Sequence, residues 1–180
     1  SLIKHFIVNI SIIHIKNIKM LFDIIIIGFG VIGTETLHRI SKNLQTKKTK
    51  NKKRIKIAII EQKLKNIPGG VAYSRENSKY GFFNNPLRLS HPEFIRWFNL
   101  SMNKKKIIDF SLANRSYNLN VWAKKNQFIL KSNYKDYKEL YLPRLIYSFY
   151  LKEKILNFLK VKNKLNISVN FFKGEVKNIK

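Results

Sequence analysis

Asp23-Ile24-Ile25-Ile26-Ile27-Gly28-Phe29-Gly30-Val31-Ile32-Gly33 is the stretch on which the fold turns. Four consecutive isoleucines make a short, wholly apolar, β-branched run. Such a run reads as a central parallel strand buried on both faces. Gly28 ends it. Leu37, Ile40 and Leu44 then recur at helical spacing, so a helix follows the loop. Lys47 to Arg54 is a lysine-rich polar run and reads as an exposed helix-to-strand connection. Ile55 to Ile60 forms a second apolar strand, ending at Glu61.

The order strand, Gly-x-Gly-x-x-Gly, helix, strand, acidic residue is the context that a dinucleotide-binding fingerprint requires. Gly28 permits the tight turn out of the strand. Gly30 lets the backbone approach a pyrophosphate, and Gly33 lets the helix pack closely on the sheet. The helix N-terminus offers amide N–H groups and partial positive charge to the anion. Glu61 can accept hydrogen bonds from the adenosine ribose hydroxyls. Its separation from Gly33 exceeds the usual spacing of about 20 residues, and the Lys47–Arg54 run accounts for the surplus. An acid here suits an unphosphorylated ribose, as in FAD or NAD, better than NADP. A bare glycine pattern also fits a loop in an unrelated α/β protein; the flanking strand, helix and Glu61 argue against that.

Further along, Pro68-Gly69-Gly70 marks a turn or close-packed loop. Ser90-His91-Pro92-Glu93 has capping-box spacing, with Ser90 as the expected cap, His91 as the first helical residue and Glu93 reaching back. That helix carries Phe94, Trp97 and Phe98 on one face, in keeping with a core-facing stripe. A looser, polar region is expected from Asn103 to Lys138. Pro143 suits a helix start, and Leu145, Phe149, Leu156 and Leu159 mark a buried stripe. Asn166 to Phe172 alternates as a third strand with Ile167, Val169 and Phe171 on one face. Glu175 to Ile179 begins another.

The first methionine is Met20. Ser1 to Lys19 admits three readings: a signal segment, an amphipathic membrane-surface segment, or upstream sequence read in frame. Lys4, His5, Asn9, His14 and Lys16 interrupt its apolar residues, so no run reaches the roughly 18 needed to span a bilayer. The upstream reading is preferred, which makes 1–19 an upstream or disordered segment.

The formal charge of +26 invites a nucleic-acid reading, because lysines near phosphates release counterions. Yet lysine outnumbers arginine roughly four to one, whereas phosphate and base readers lean on arginine's planar fork. Abundant Asn, Ile, Phe and Tyr point instead to AT-rich codons, with non-specific polyanion binding as a side effect. The chain has no cysteine, which excludes disulfides, Cys-ligated metals and a redox-active cysteine pair, and fits a cytoplasmic protein. No His/Asp/Ser constellation points to hydrolysis, and no metal set is evident.

Four segments occur in one order: the Asp23–Gly33 stretch; Pro68-Gly69-Gly70-Val71-Ala72-Tyr73-Ser74; Asn84-Asn85-Pro86-Leu87; and Leu142-Pro143-Arg144 with the Leu-Ile-Tyr-Ser-Phe-Tyr-Leu that follows. Together they resemble the FAD/NAD(P)-binding protein family whose members carry a Gly-Val-Ala-Tyr loop and a Pro-Arg helix start. The fingerprint is shared by many families; the Val-Ala-Tyr and Pro-Arg combination is far more specific. Phe29 and Val31-Ile32 depart from the family's usual small residues or proline.

The resemblance implies an α/β, Rossmann-like fold of the two-dinucleotide-binding type, with a mostly helical insertion after the second strand. It also implies that residues 20–180 are the N-terminal part of such a domain, because family members continue through a later Gly-Asp segment. FAD would be held by the first unit, with NAD(P)H docking elsewhere if at all, in an oxidoreductase of unknown substrate. The expected cofactor contacts are Gly28, Gly30, Val31, Ile32, Gly33, Glu61, Gly69, Gly70, Tyr73 and Asn85, with Asn84 as an alternative to Asn85. Tyr73 reads equally as a buried ring, the asparagines as a turn before Pro86, and Arg144 as a phosphate contact or a helix-surface charge. The alternatives are a basic nucleic-acid-binding protein and an inactive piece of an incomplete reading frame.

Overall fold

The computed structural model describes residues 11–15, 18–46, 53–73, 81–114 and 116–176, with side chains from Met20 onward. The chain divides into two units, Ser1–Val71 with Leu151–Lys180, and Ala72–Tyr150.

The first unit is built on a parallel sheet. Strand β1 (Ser11–Ile15) and β2 (Ile18–Phe22) pair as an antiparallel hairpin. Strands β3 (Ile24–Ile27), β4 (Ile55–Glu61) and β5 (Ile167–Lys173) form the parallel sheet in the order β3-β4-β5. Helix α1 (Val31–Thr46) supplies the connection that a parallel β3–β4 pair requires. The register Ile24↔Ile57 is pinned at its start by Asp23, whose N–H donates to Lys56 O at 2.9 Å and whose Oδ2 accepts from Lys56 N at 2.8 Å. At its end Gly28 N donates to Ile60 O at 2.8 Å.

Alternation along β4 places Ile57 and Ile59 on one face and Ala58 and Ile60 on the other. The first face packs with Ile26, Phe29, Leu37, Phe158 and Ile167. The second packs with Ile25, Met20, Phe22 and Phe172. Each buried isoleucine contributes about 1.5–3 kcal/mol of transfer free energy. The isoleucine run is covered on both faces at Ile25 and Ile26, but not along its whole length: Ile24 is only partly buried and Ile27, at the loop end, is exposed. The run is also not central. Among the described residues β4 is the middle strand and β3 lies at an edge. An all-apolar run reports that both faces are covered and says nothing about how many neighbours pair with it.

The third strand begins after Asn166, which takes a left-handed φ of 54° and passes the chain into β5. Glu175 and Val176 are not strand, contrary to expectation, and residues 177–180 lie outside the described residues. Most of the lysine-rich connection, 47–52, does too, while Lys53 and Arg54 are exposed.

The second unit is helical. It contains α3 (Pro92–Asn99), α4 (Ser101–Ala113), α5 (Tyr117–Asn126) and α6 (Tyr134–Tyr137). The short helix α2 (Gly70–Tyr73) and the long helix α7 (Arg144–Val161) carry the chain across the boundaries between the units. Phe94 is the centre of an aromatic core, fully buried, with ring centroids of Tyr147 at 4.8 Å, Tyr150 at 5.3 Å, Phe83 and Trp97 at 5.8 Å and Phe98 at 6.2 Å. The core reading of the α3 aromatics therefore holds.

Three expectations are corrected here. His91, not Ser90, caps α3: its Nδ1 accepts from Glu93 N at 3.3 Å and Pro92 follows as the first helical residue. Asn103 to Lys138 is not loose. Its helices bury Ile107, Ile108, Leu119, Trp122 and Ala123, and Asn133 with Asp136 forms a capping box. The buried stripe of α7 starts as expected at Leu145 but then differs, since Leu156 and Leu159 are exposed while Ile146, Tyr150, Leu151, Lys154 and Phe158 are buried.

Candidate functional site

The turn from β3 into α1 is shaped by three glycines that answer to different constraints. Gly28 has φ +80°, a conformation that costs an L-residue about 1–2 kcal/mol. A Cβ there would meet nothing within 4 Å, so its constraint is conformational alone. Gly33 is constrained by space, because a Cβ would collide with the carbonyl oxygen of Gly28 and approach Phe29 Cδ2 to 3.2 Å. Gly30 answers to neither. Its φ is ordinary, and a Cβ would find only normal contacts, 3.8 Å from Gly70 Cα and 3.9 Å from Gly69.

The loop is held from two sides. Glu61, partly buried at the end of β4, accepts from Phe29 N through Oε2 at 2.8 Å and from Lys63 N through Oε1 at 3.3 Å. The Pro68-Gly69-Gly70 loop lies against Gly30, with a parallel bridge Gly30↔Gly69 and Gly69 N donating to Phe29 O at 3.3 Å. Gly70 sits at φ +65°, and a Cβ on it would come within 3.0 Å of Gly30 Cα. Backbone thus packs on backbone. Two main-chain segments far apart in sequence meet at Gly30, and it is Gly70 whose lack of a side chain permits the approach.

Val31 and Ile32 are the first residues of α1, both partly buried. The first amides of a helix have no intrahelical acceptor and carry about half a positive charge between them. Thr34 N donates to Gly30 O at 3.0 Å, closing the first turn, and that turn contains no acidic residue.

Eight of the expected contacts (Gly28, Gly30, Val31, Ile32, Gly33, Glu61, Gly69 and Gly70) therefore fall in one unit, around one loop or on the strand end and turn that support it. Tyr73 and Asn85 belong to the helical unit. There the Tyr73 ring packs edge-on to Phe83, centroids 6.0 Å apart, and tilted on Tyr147 at 5.1 Å. Asn85 is exposed, at a bend before Pro86. Arg144 supports that bend. Its Nε donates to Phe82 O at 2.9 Å and an Nη to Asn84 Oδ1 at 3.2 Å, with its stem against Gly81.

From the sequence, Phe29 stands out only as a departure from the pattern of the family the chain resembles. In the structure its ring is fully buried between sheet and helix, edge-on to Phe171 at 5.7 Å, and its amide is the donor that Glu61 holds. Nothing in the glycine spacing signals this, since the partner carboxylate lies 32 positions away. Among the described residues no group of three or more His, Asp or Glu could hold a metal ion, and no helix is long and apolar enough to cross a membrane.

Compared with known protein families, residues 25–180 match the family described as FAD-NAD(P)-binding. Neither the curated proteins nor the solved structures yield a match.

Proposed function

The chain belongs to the FAD-NAD(P)-binding family, and from that premise we propose that its β3–loop–α1 unit holds the FAD of a flavin-dependent oxidoreductase. The observation that carries the reading is Gly30. Gly28 and Gly33 are required by the protein's own conformation and packing, whereas a Cβ at Gly30 would meet only ordinary contacts. The main chain at Gly30 is therefore open to close approach by a ligand, as by a pyrophosphate at a helix N-terminus.

In this reading the loop and the first amides of α1 bind the pyrophosphate, and Gly69 and Gly70 back the loop. Glu61 holds the adenosine ribose. A carboxylate offers about four lone-pair positions, so its two backbone bonds leave acceptors for ribose hydroxyls. A 2′-phosphate beside it would meet like charge, which favours FAD or NAD over NADP. The Val71-Ala72-Tyr73 and Pro143-Arg144 segments support FAD over NAD. Bound flavin supplies the redox chemistry, and these residues bind and orient it.

The test is direct. The purified chain should retain or take up FAD, giving a yellow protein with absorbance near ~450 nm, and ADP should compete. Absence of binding to FAD, NAD and ADP alike would overturn the proposal. If the same sample instead bound random-sequence nucleic acid with an affinity falling steeply in salt, the charge of +26 would be the functional feature.

A further inference from the structure

The first unit contains a buried ion pair that the dinucleotide reading leaves unused. Lys154, in α7, is 7% exposed, and its Nζ lies 2.7 Å from both Oε1 and Oε2 of Glu35 in α1. The Glu35 side chain is 19% exposed. Glu35 is the fifth residue of the helix whose N-terminus faces the glycine loop, so it stands about 6 Å along the axis from the first helical residue.

That position matters for an anion. The helix end presents roughly half a positive charge, and an unpaired carboxylate one turn inward carries a full negative one. Left alone, Glu35 would offset a large part of the helix end's attraction at the loop. Partial burial keeps solvent and salt from screening it as they would a surface charge. With the ammonium against both oxygens, carboxylate and lysine become a short dipole whose field falls off quickly.

We propose that Lys154 is a positioning residue for nucleotide binding. By neutralising Glu35 it keeps the N-terminal end of α1 attractive to a dinucleotide's pyrophosphate. The inference rests on the dinucleotide reading of the Gly28–Gly33 loop. A purely structural clamp between α1 and α7 is the competing explanation, and the two differ in sign. If the pair only clamps, removing either partner loosens the helix and weakens binding. If it sets the charge, the two removals act in opposite directions.

The experiment titrates the full chain with ADP and with adenosine at low salt, comparing wild type, Lys154→Met, Glu35→Gln and the double variant. Two unit charges about 10 Å apart at an effective dielectric of about 20 change affinity roughly tenfold. Lys154→Met should therefore bind ADP about tenfold more weakly. Glu35→Gln should bind it several-fold more tightly, and the double variant should return to near the wild-type value. Adenosine, which lacks phosphate, should change little throughout. If Lys154→Met fails to fold, Glu35→Gln and the double variant carry the test. Weaker ADP binding by Glu35→Gln, or an equal shift for adenosine, overturns the inference while wild-type ADP binding leaves the dinucleotide reading standing. Wild-type protein that binds no ADP overturns both.

Discussion

The three fingerprint glycines should separate cleanly when each is changed to alanine, because the structure assigns each a different reason for being glycine. Gly33→Ala drives a methyl group into the Gly28 carbonyl, a backbone atom that no rotamer change can move aside. Overpacking of this kind costs about 1–3 kcal/mol, at the upper end where backbone is struck. Gly28→Ala meets no atom but must hold φ +80°, a penalty of about 1–2 kcal/mol. Part of that is offset by the reduced freedom of alanine in the unfolded chain, about 0.4–1 kcal/mol. Gly30→Ala has neither problem, so its effect should stay within about 0.5 kcal/mol. In urea, with a slope of about 2 kcal/mol per molar, these become midpoint losses of about 1.5 M, about 0.5 M and under about 0.25 M. Far-ultraviolet circular dichroism reads the midpoints, and flavin fluorescence titration reads FAD affinity on the same samples. Gly30→Ala should fold normally yet bind FAD at least tenfold more weakly. The reasoning fails if Gly30→Ala is destabilised as much as Gly33→Ala, or if it is stable and binds FAD as wild type does.

Glu61→Gln keeps an acceptor for Phe29 N but removes the charge, so the preference for unphosphorylated over 2′-phosphorylated dinucleotides should narrow, measured as the ratio of NAD to NADP affinities. Glu61→Ala removes the acceptor as well and should lower stability by about 1 kcal/mol, since the bond is charge-assisted but only partly buried; a urea midpoint unchanged from wild type would count against the Phe29 contact. Arg144→Lys loses the forked donors to Phe82 O and Asn84 Oδ1, which a point charge cannot replace. Amide exchange around residues 81–84 should accelerate while the parallel sheet stays protected. Phe94→Ala opens the aromatic core and should cost about 3–5 kcal/mol, read as the largest midpoint loss of any variant in the helical unit.

What the sequence made legible was whatever depends on local backbone rules. Ile24–Ile27 and Ile55–Ile60 announce buried strands by composition, and the glycines announce the turn by spacing. Glu61 announces itself by ending a strand beside that turn. Each of these is decided within a few residues of itself. The helices between Asn103 and Lys138 were hidden because lysines surround the apolar positions: Lys104-Lys105-Lys106 precede Ile107 and Ile108, and the run looks polar until the buried face is seen. Capping preference points one residue too early in α3, to Ser90, because serine is the stronger capping type. Here the ring nitrogen of His91 occupies that role, with Pro92 fixing the first turn after it.

The error in α7 has the most to teach about the site. A stripe chosen by apolarity runs through Leu156 and Leu159, which face outward, and skips Lys154, which faces inward. Hydrophobic periodicity treats a lysine as a mark of the solvent face, so it rejects the true register wherever a buried charge is paired. The partner, Glu35, lies 119 positions away, beyond the reach of any local pattern. A fully buried ammonium is costly unless neutralised, and an apolar residue of similar length would fill the same space without that cost. Such a pair is weak evidence for stability. The position of Glu35 on the helix that leads out of the glycine loop is what gives the lysine a purpose, and the opposed effects of Lys154→Met and Glu35→Gln on ADP are the measurement that separates that purpose from packing.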